Sequence, residues 1–298
     1  MPNSSHFSSY ATLHFLVIIW GFSSILGKLI SIPPMEIVFY RTFFSFIVIY
    51  FIVKFRKRTL TIGKQNFYNI FATGVIIAFH WILFFLAARV SNVSICLAGM
   101  ATTSLWTSIL EPLILKRKVK IYEPILGLIA ILGISVVFSA VIDQYLGFLI
   151  AVFSALLSSI FTIINGRLVK KNDHFVISFY QMLGACLFTL VFMLIYSNFF
   201  VLKSVEWSLN QSDFLYLGIL AVVCTVYAYS VSIKLMHKLS AFAINLTINL
   251  EPVYGIVLAV LIFGNSEYMG SSFYWGTLII LISVLLYPVF SYFERKMA

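Results

Sequence analysis

Charged residues are scarce in this sequence. Only 10% of its 298 residues are Asp, Glu, Lys or Arg, whereas 61% are hydrophobic and 30 are Phe. A soluble domain typically carries about 25% charged residues, so this composition excludes an ordinary soluble globular protein. It indicates instead a chain whose surface faces the hydrocarbon of a lipid bilayer.

Cysteine is also scarce, and the patterns of common enzymes are missing. The three cysteines, Cys96, Cys186 and Cys224, fall within apolar runs and have no paired spacing, so we interpret them as small packing residues. The sequence has no His-Glu-x-x-His zinc motif, no paired intramembrane aspartates and no glycine-bounded nucleophile elbow. We therefore expect a protein that is not an enzyme and needs no metal and no cofactor.

Acidic residues number 10 against 20 basic ones, which gives a formal net charge of +10. The basic residues concentrate in every second connection between the apolar runs and at the C-terminus. They are Lys54, Arg56, Lys57, Arg58, Lys64, Lys116, Arg117, Lys118, Lys120, Arg167, Lys170, Lys171, Lys234, Lys238, Arg295 and Lys296. By the positive-inside rule this bias predicts that both termini are cytoplasmic. It leaves no cluster that would indicate binding to nucleic acid.

What the sequence has in abundance is long apolar runs. A transmembrane helix needs about 20 mostly apolar residues, and ten runs approach or exceed that length. We call them spans 1 to 10, at residues 10–31, 34–53, 67–88, 92–115, 121–141, 145–168, 175–196, 213–233, 239–263 and 271–292. Span 1 has no basic leader and no cleavage pattern, so we expect it to remain as a helix. The prediction is an all-α, polytopic protein of the cell membrane with ten transmembrane helices.

Weak internal repetition predicts two five-helix halves, residues 1–143 and 144–298. The matches lie at offsets of 139 or 140 residues and later of 149. They are Gly27-Lys28 with Gly166-Arg167, Phe39-Tyr40 with Phe179-Tyr180, Ser91 with Ser240, and Gly127 with Gly276. Because five is odd, the second half must enter the membrane from the opposite side. The repeats are therefore inverted, and such pairs commonly hold a substrate site at their midplane interface.

Span 9 carries the most unusual group of side chains. Glu251 lies near its middle, where a carboxylate is costly and is usually either functional or paired. Pro252 removes a backbone donor and predicts a break one turn earlier, around Ile248. Helical geometry places Asn245 and Asn249 on one face and Glu251 on another, so one face lines a cavity and the other forms an interhelical seam unless the helix opens.

Other polar and aromatic groups at membrane depth are candidates for the same site. His80 in span 3 has Tyr229 in span 8 as its repeat equivalent; the alternative for His80 is a neutral ring bonded to a carbonyl. Trp20 and Trp106 are suited to stacking on a planar or cationic solute, or to packing. Arg41 can snorkel, pair with a carboxylate or bind an anionic group, and we favour structural pairing. For Lys28 we expect snorkelling.

Several short motifs, in order and spacing, resemble those of the EamA-type carriers of the drug/metabolite transporter superfamily. They are Trp20-Gly21-Phe22-Ser23-Ser24, Tyr40-Arg41, His80-Trp81, Phe84-Phe85-Leu86-Ala87, Leu250-Glu251-Pro252-Val253-Tyr254 and Gly264-Asn265-Ser266-Glu267. The resemblance implies ten helices in two repeats, and secondary transport of small solutes, often export of amino acids or related metabolites. Span 4 departs from the family pattern, with Thr103-Ser104 and Arg117-Lys118 where the family often has Pro and Gly-Glu. Its proline, Pro112, follows Glu111 near the end of the span, and Glu111 is not the repeat equivalent of Glu251.

The sequence therefore predicts a secondary transporter that exports small organic metabolites by alternating access, with proton coupling as an open possibility. The alternatives are a multidrug efflux carrier and a channel-like facilitator. The predicted substrate-binding residues are Trp20, Ser24, His80, Trp106, Tyr229, Asn245, Asn249 and Glu251, and Glu251 and His80 are the candidates for proton coupling. One chain is sufficient for a transport unit, a dimer is also compatible, and a bacterial inner membrane is the expected location.

Overall fold

A computed structural model of the chain describes residues 4–116, 122–198, 205 and 207–297. Within those ranges the chain is helical and contains no strand. The α-helices are α1 (Ser4–Leu29), α2 (Pro34–Phe55), α3 (Lys64–Val90), α4 (Val93–Met100), α5 (Thr103–Leu115), α6 (Tyr122–Ala140), α7 (Tyr145–Leu168), α8 (His174–Tyr196), α9 (Gln211–Ile219), α10 (Ala228–Leu235), α11 (Ala241–Ile248), α12 (Glu251–Phe263) and α13 (Ser271–Met297). A π-helical segment, Leu220–Tyr227, joins α9 to α10.

Each predicted span corresponds to one helix or to consecutive helices. Eight of these helical stretches are long and apolar enough to cross a membrane, by length and composition alone. In the described part of the chain the other two apolar stretches, Ile125–Ala140 and Ser271–Ser283, are shorter. The all-helical, multi-pass architecture is therefore confirmed, and the exact number of ten crossings stays a prediction. The basic residues Arg117, Lys118, Lys120 and Lys203 lie outside the described residues.

The two halves pack on each other in reciprocal pairs. Helix α2 packs on its counterpart α8, and α6 packs on its counterpart α13. Helix α4 packs on α12 while α5 packs on α11, so spans 4 and 9 run antiparallel to one another. Equivalent helices are antiparallel when the axis that relates two repeats lies in the membrane plane. This packing fits a two-repeat architecture of the inverted kind.

The bundle has two ends, and long-range contacts show which connections share an end. We call the end at which α1 begins the N-terminal face and the other the opposite face. On the N-terminal face, Arg58 beyond α2 forms an ion pair with Asp173 before α8. Arg167 near the end of α7 donates to the Ile114 carbonyl at the end of α5. On the opposite face, Ser31 after α1 donates through its backbone N–H and its hydroxyl to the Asp213 carboxylate at the start of α9.

Glycines allow α6 and α13 to approach closely. A Cβ atom at Gly276 would lie 2.7 Å from the Val137 backbone nitrogen, and one at Gly133 would lie 2.9 Å from the Gly276 carbonyl oxygen. Both distances are shorter than real Cβ contacts, so even a methyl group would force the two backbones apart. The smallest side chain is therefore required where these terminal spans of the two halves cross.

Gly276→Ala is expected to destabilise the protein by about 1–3 kcal/mol, the usual cost of overpacking. The measurement is thermal unfolding of the purified protein in detergent, where the midpoint should fall by several degrees. Gly218→Ala in α9 is the matched control, because nothing lies within 4 Å of a Cβ atom there. Equal midpoints for the two variants would show that the close approach of α6 and α13 does not limit stability.

Candidate functional site

Spans 4 and 9 are both broken at mid-depth, and their breaks meet. In span 9 the α-helix stops at Ile248 and resumes at Glu251, with Pro252 in the first turn of α12. This is where Pro252 predicts a break, since proline removes the donor that the Ile248 carbonyl would otherwise accept. In span 4 the break between α4 and α5 contains no proline. There the freed Ala101 carbonyl accepts a hydrogen bond from Asn249 Nδ2 at 2.8 Å.

A cavity lies beside these breaks, between the two halves, with a volume of about 80 Å³. Since a water molecule needs about 10–15 Å³ of such space, it holds on the order of five waters. Its polar lining residues are Ser23, Arg41, His80, Ser158, Thr162, Asn165, Tyr229, Ser232 and Glu251. Its apolar ones are Trp20, Trp81, Phe84, Met100, Phe161, Met236, Ile244 and Ile248. Met236 follows span 8 directly and Ile244 lies near the start of span 9, both toward the N-terminal face, so the cavity extends from mid-depth toward that face.

Glu251 supplies the acidic group of the cavity wall. The residue is 7% exposed, and its carboxylate accepts no hydrogen bond from any residue that the structure describes. The acidic group at the start of α12 suits the partial positive charge of a helix N-terminus. Arg41, from α2, lines the same cavity and carries the opposite charge.

Arg41 supplies the cationic group of the wall, and sequence reasoning underrated it. The structural pairing with a carboxylate that we favoured is absent, because no ion pair involves Arg41 in the described part of the chain. Its Nε donates to Thr225 Oγ1 at 2.7 Å, and its guanidinium lies 3.8 Å from the centroid of the Trp81 ring. The sequence signal that could have identified it is a lone arginine two turns inside a span, where an unpaired charge is normally excluded.

His80 lines the cavity, but one of its ring nitrogens is already engaged. Nδ1 lies 2.9 Å from the Ser154 carbonyl oxygen, and Ser154 Oγ donates in return to the His80 carbonyl. Ser154 Oγ also lies 2.8 Å from Nδ1, so the carbonyl and the hydroxyl of Ser154 both contact this nitrogen. This arrangement engages Nδ1 in either tautomer of the ring. It leaves Nε2 as the only ring nitrogen available to a solute.

Tyr229, the repeat equivalent of His80, also lies on the cavity wall, where a closed ring of hydrogen bonds fixes its hydroxyl. Asn165 Nδ2 donates to the Tyr229 hydroxyl at 2.9 Å, and the hydroxyl donates to Gln181 Oε1 at 2.7 Å. Gln181 Nε2 completes the ring by donating to Asn165 Oδ1 at 2.6 Å. The hydroxyl thereby uses its proton internally, so Tyr229 presents mainly its ring to the cavity.

Trp20 joins the cavity wall to the π-helical segment of span 8. Its indole Nε1 donates to the Cys224 carbonyl at 3.1 Å, and Ser45 Oγ donates to the Ala221 carbonyl at 3.2 Å. A π-helical stretch leaves carbonyls free for such partners and frequently marks a functional site. Trp20 and Arg41 are therefore both held by this one irregular segment. The sequence gives no proline or glycine signal for it.

The two asparagines predicted to bind substrate lie in a seam between spans 4 and 9, outside the cavity. Asn245 Nδ2 donates to Thr107 Oγ1 at 2.7 Å, and Asn249 Nδ2 donates to Ser104 Oγ at 2.6 Å as well as to Ala101. The physical reason is the angular separation on span 9. With Glu251 turned toward the cavity, the amide face turns toward span 4 and is buried there.

Ser24 and Trp106 also lie outside the cavity. Ser24 is buried, and its hydroxyl donates to the Gly21 carbonyl in its own helix at 2.9 Å. Trp106 is partly buried in α5, and its indole nitrogen has no hydrogen-bond partner among the described residues. Of the eight predicted residues, the structure brings Trp20, His80, Tyr229 and Glu251 together and leaves the other four apart.

Span 6 contributes polar wall residues that sequence reasoning missed. Ser158, Thr162 and Asn165 follow one another at spacings of four and three residues, so they lie on one face of α7. Single hydroxyl groups are common in membrane helices and attract no attention by themselves. The signal in the sequence was that the two hydroxyl residues share a helical face with Asn165. No group of three or more His, Cys, Asp or Glu side chains that could hold a metal ion occurs in the residues described.

A second charged cluster lies on the opposite face, and none of its residues lines the cavity. Lys28, expected to snorkel, instead places Nζ 2.6 Å from Glu267 Oε1. The same carboxylate accepts from the backbone nitrogens of Val93 at 3.1 Å and Ser94 at 2.8 Å, at the start of α4. Glu267 is fully buried. We call these four residues the Glu267 cluster, and it ties the end of span 1 to the start of span 4 and the end of span 9.

A helical bundle with antiparallel halves and a polar cavity between them is the architecture of many membrane transporters. The model of the EamA-like transporter family matches residues 8–139 and again residues 145–287. The chain therefore belongs to the EamA-like transporter family, as the motifs indicated. A solved crystal structure shares the fold, with a TM-score of 0.68 over 98% of this chain and 99% of its own, at 14% identity. The comparison with curated proteins finds no match to this sequence.

Proposed function

We propose that this chain is a secondary transporter that exports small organic metabolites, such as amino acids, by alternating access. The observation that carries the proposal is the cavity at the meeting point of the broken spans 4 and 9, with Arg41 and Glu251 both at its wall. Charged groups inside the membrane are costly and commonly mark a solute or ion pathway. Broken helices at a repeat interface supply the binding site in many secondary transporters.

Export is the direction of transport in this proposal, and the proposed orientation is compatible with it. Most basic residues flank the N-terminal face, so by the positive-inside rule that face is cytoplasmic. The cavity extends toward the same face, while the Glu267 cluster lies at the other. In this conformation a cytoplasmic solute would reach the cavity first. Export then requires a second conformation in which the cluster opens and the N-terminal face closes.

Reconstituted protein is expected to show saturable, counterflow-competent flux of at least one small organic metabolite. Proteoliposomes are loaded in turn with members of a labelled metabolite panel, and efflux is followed with and without a pH gradient. Empty liposomes and protein reconstituted after heat denaturation are the controls. Saturation and counterflow support a carrier because one site must face each side in turn.

Two outcomes would contradict the proposal. Flux that rises linearly with concentration and shows no counterflow identifies a channel-like facilitator. If only bulky lipophilic cations are transported, the multidrug alternative replaces metabolite export.

A tag at either terminus should also be reachable only from the cytoplasmic side, and the reverse result would invert the proposed direction.

A further inference from the structure

We propose that Arg41 and Glu251 are the two poles of a binding site for zwitterionic solutes. In this site the Arg41 guanidinium binds a carboxylate of the solute, and the Glu251 carboxylate binds its ammonium group. The inference rests on the proposed function, because it assigns the solute class of the same cavity. Its motivation is geometric, because residues of opposite charge line one cavity. Among the described residues, neither has hydrogen-bond partners that occupy its full binding capacity.

Arg41 is held in place with its binding edge free. Thr225 accepts from Nε, and Trp81 covers one face of the guanidinium at 3.8 Å. The terminal nitrogens Nη1 and Nη2 donate to no residue in the described parts of the chain. A guanidinium presents paired donors that match the two oxygens of a carboxylate. A buried arginine that lines a cavity and whose terminal nitrogens have no partner among the described residues is therefore suited to bind an anionic group.

Glu251 has the complementary free capacity. Its carboxylate accepts no hydrogen bond within the described structure and forms no ion pair with Arg41, although both residues line the same cavity. A buried carboxylate needs hydrogen-bond donors, which water in the cavity or a bound solute can supply. A primary ammonium group supplies three donors and a positive charge. A bound solute would then satisfy both poles in one step.

A solute with a single charge fits this site less well than a zwitterion. An anion would pair with Arg41 and leave Glu251 unpaired, and a cation would do the reverse. The remaining polar groups of the wall are uncharged hydroxyls and amides, apart from His80, so no other full charge compensates the empty pole. Phe84, Phe161 and Ile248 give the wall an apolar part against which a hydrocarbon side chain can pack.

The test compares molecules that differ in one charged group at a time. Labelled L-amino acids are screened for counterflow in proteoliposomes, and the best of them is challenged with its decarboxylated amine and its deaminated acid. We expect the zwitterion to compete at least about tenfold more strongly than either analogue, which corresponds to roughly 1.4 kcal/mol. Equal competition by the amine or the acid would overturn the two-pole site.

Variants of Arg41 and Glu251 test the contribution of each residue to solute binding separately. Arg41→Gln should raise the half-saturating zwitterion concentration and shift the preference toward the amine, whereas Glu251→Gln should shift it toward the acid. Arg41→Lys keeps the charge and should keep the zwitterion preference with weaker binding, which guards against loss of folding in Arg41→Gln. Arg89→Gln is the matched control, because Arg89 binds the Ile30 and Ile32 carbonyls near the opposite face and should not alter the preference.

The outcomes distinguish this inference from the proposed function. If wild-type protein moves no metabolite at all, the transporter proposal fails. If it moves metabolites but no zwitterion, or if both Gln variants keep the wild-type ratio of zwitterion to amine and acid, only the two-pole site fails. In that case Arg41 and Glu251 would be a structural pair that neutralise one another at a distance.

Discussion

Replacing Glu251 by Gln is expected to abolish pH-gradient-driven accumulation while leaving solute exchange in place at raised solute concentration. Gln keeps the size of the side chain but cannot gain or lose a proton. Glu251 is the only acidic side chain of the described cavity wall, so it is the group that can carry a proton in one conformation and release it in the other. Titratable groups near it are Arg41, His80, Tyr229, Cys96 and Cys224.

Glu111→Gln is the matched control for this prediction. Glu111 is also buried in the membrane and is also followed by a proline, but it lies in α5 and does not line the cavity. The control should retain accumulation driven by the pH gradient. His80→Gln tests the second candidate for proton coupling in the same assay. Wild-type accumulation by Glu251→Gln would show that the carboxylate has no part in coupling, whatever its part in binding.

Replacing Glu267 by Gln should shift the protein toward a state that is open on the opposite face. The carboxylate now joins Lys28 in α1 to the backbone of Val93 and Ser94 in α4. Removing one partner of a buried ion pair typically costs several kcal/mol. We expect a loss of the order of 2 kcal/mol here, or roughly thirtyfold in the ratio of the two states, since Lys28 keeps some contact with solvent.

The contact that Lys28 makes with Glu267 on the opposite face differs from the contact that its repeat equivalent makes on the N-terminal face. Arg167 in the second half is the repeat equivalent of Lys28, and it donates to the Ile114 carbonyl instead of to a carboxylate. A charged acceptor forms a stronger hydrogen bond than a neutral carbonyl. The N-terminal face has an ion pair between the halves as well, Arg58 with Asp173, but both of its partners are partly exposed, whereas Glu267 is fully buried. The Lys28–Glu267 pair is therefore the costlier of the two to break.

The measurement uses a single cysteine on the cavity wall, Ser23→Cys, in a background where Cys96, Cys186 and Cys224 are replaced. A membrane-impermeant thiol reagent is added on the side of the opposite face. Glu267→Gln should react faster than its parent, whereas Asp143→Asn, an exposed acidic residue between α6 and α7, should not. Unchanged reactivity with lower thermal stability would mean that Glu267 only caps α4.

Much of this architecture could be predicted from the sequence because the bilayer allows few backbone structures to cross it. Apolar runs of fixed length must be helices where no water satisfies the backbone, so the span positions, including the break at Pro252, follow from local composition. The repeat offsets indicated the antiparallel pairing of the halves. Motif order and spacing identified the family. His80, Tyr229, Trp20 and Glu251 were recognisable as polar or aromatic groups at the depth where such a pair of repeats meets.

Tertiary structure alone decided which of the candidate side chains share a cavity. The sequence gives the angle between the two polar faces of span 9, but it does not say which face points toward the cavity. In the folded protein, Asn245 and Asn249 face span 4 and bind its residues. The packing of the halves also paired Arg41 with Thr225 instead of a carboxylate, and Lys28 with Glu267. The partners in each of these pairs lie about 200 positions apart in the sequence. Side-chain partners at such separation depend on how the two halves pack, and local sequence carries no information about that packing.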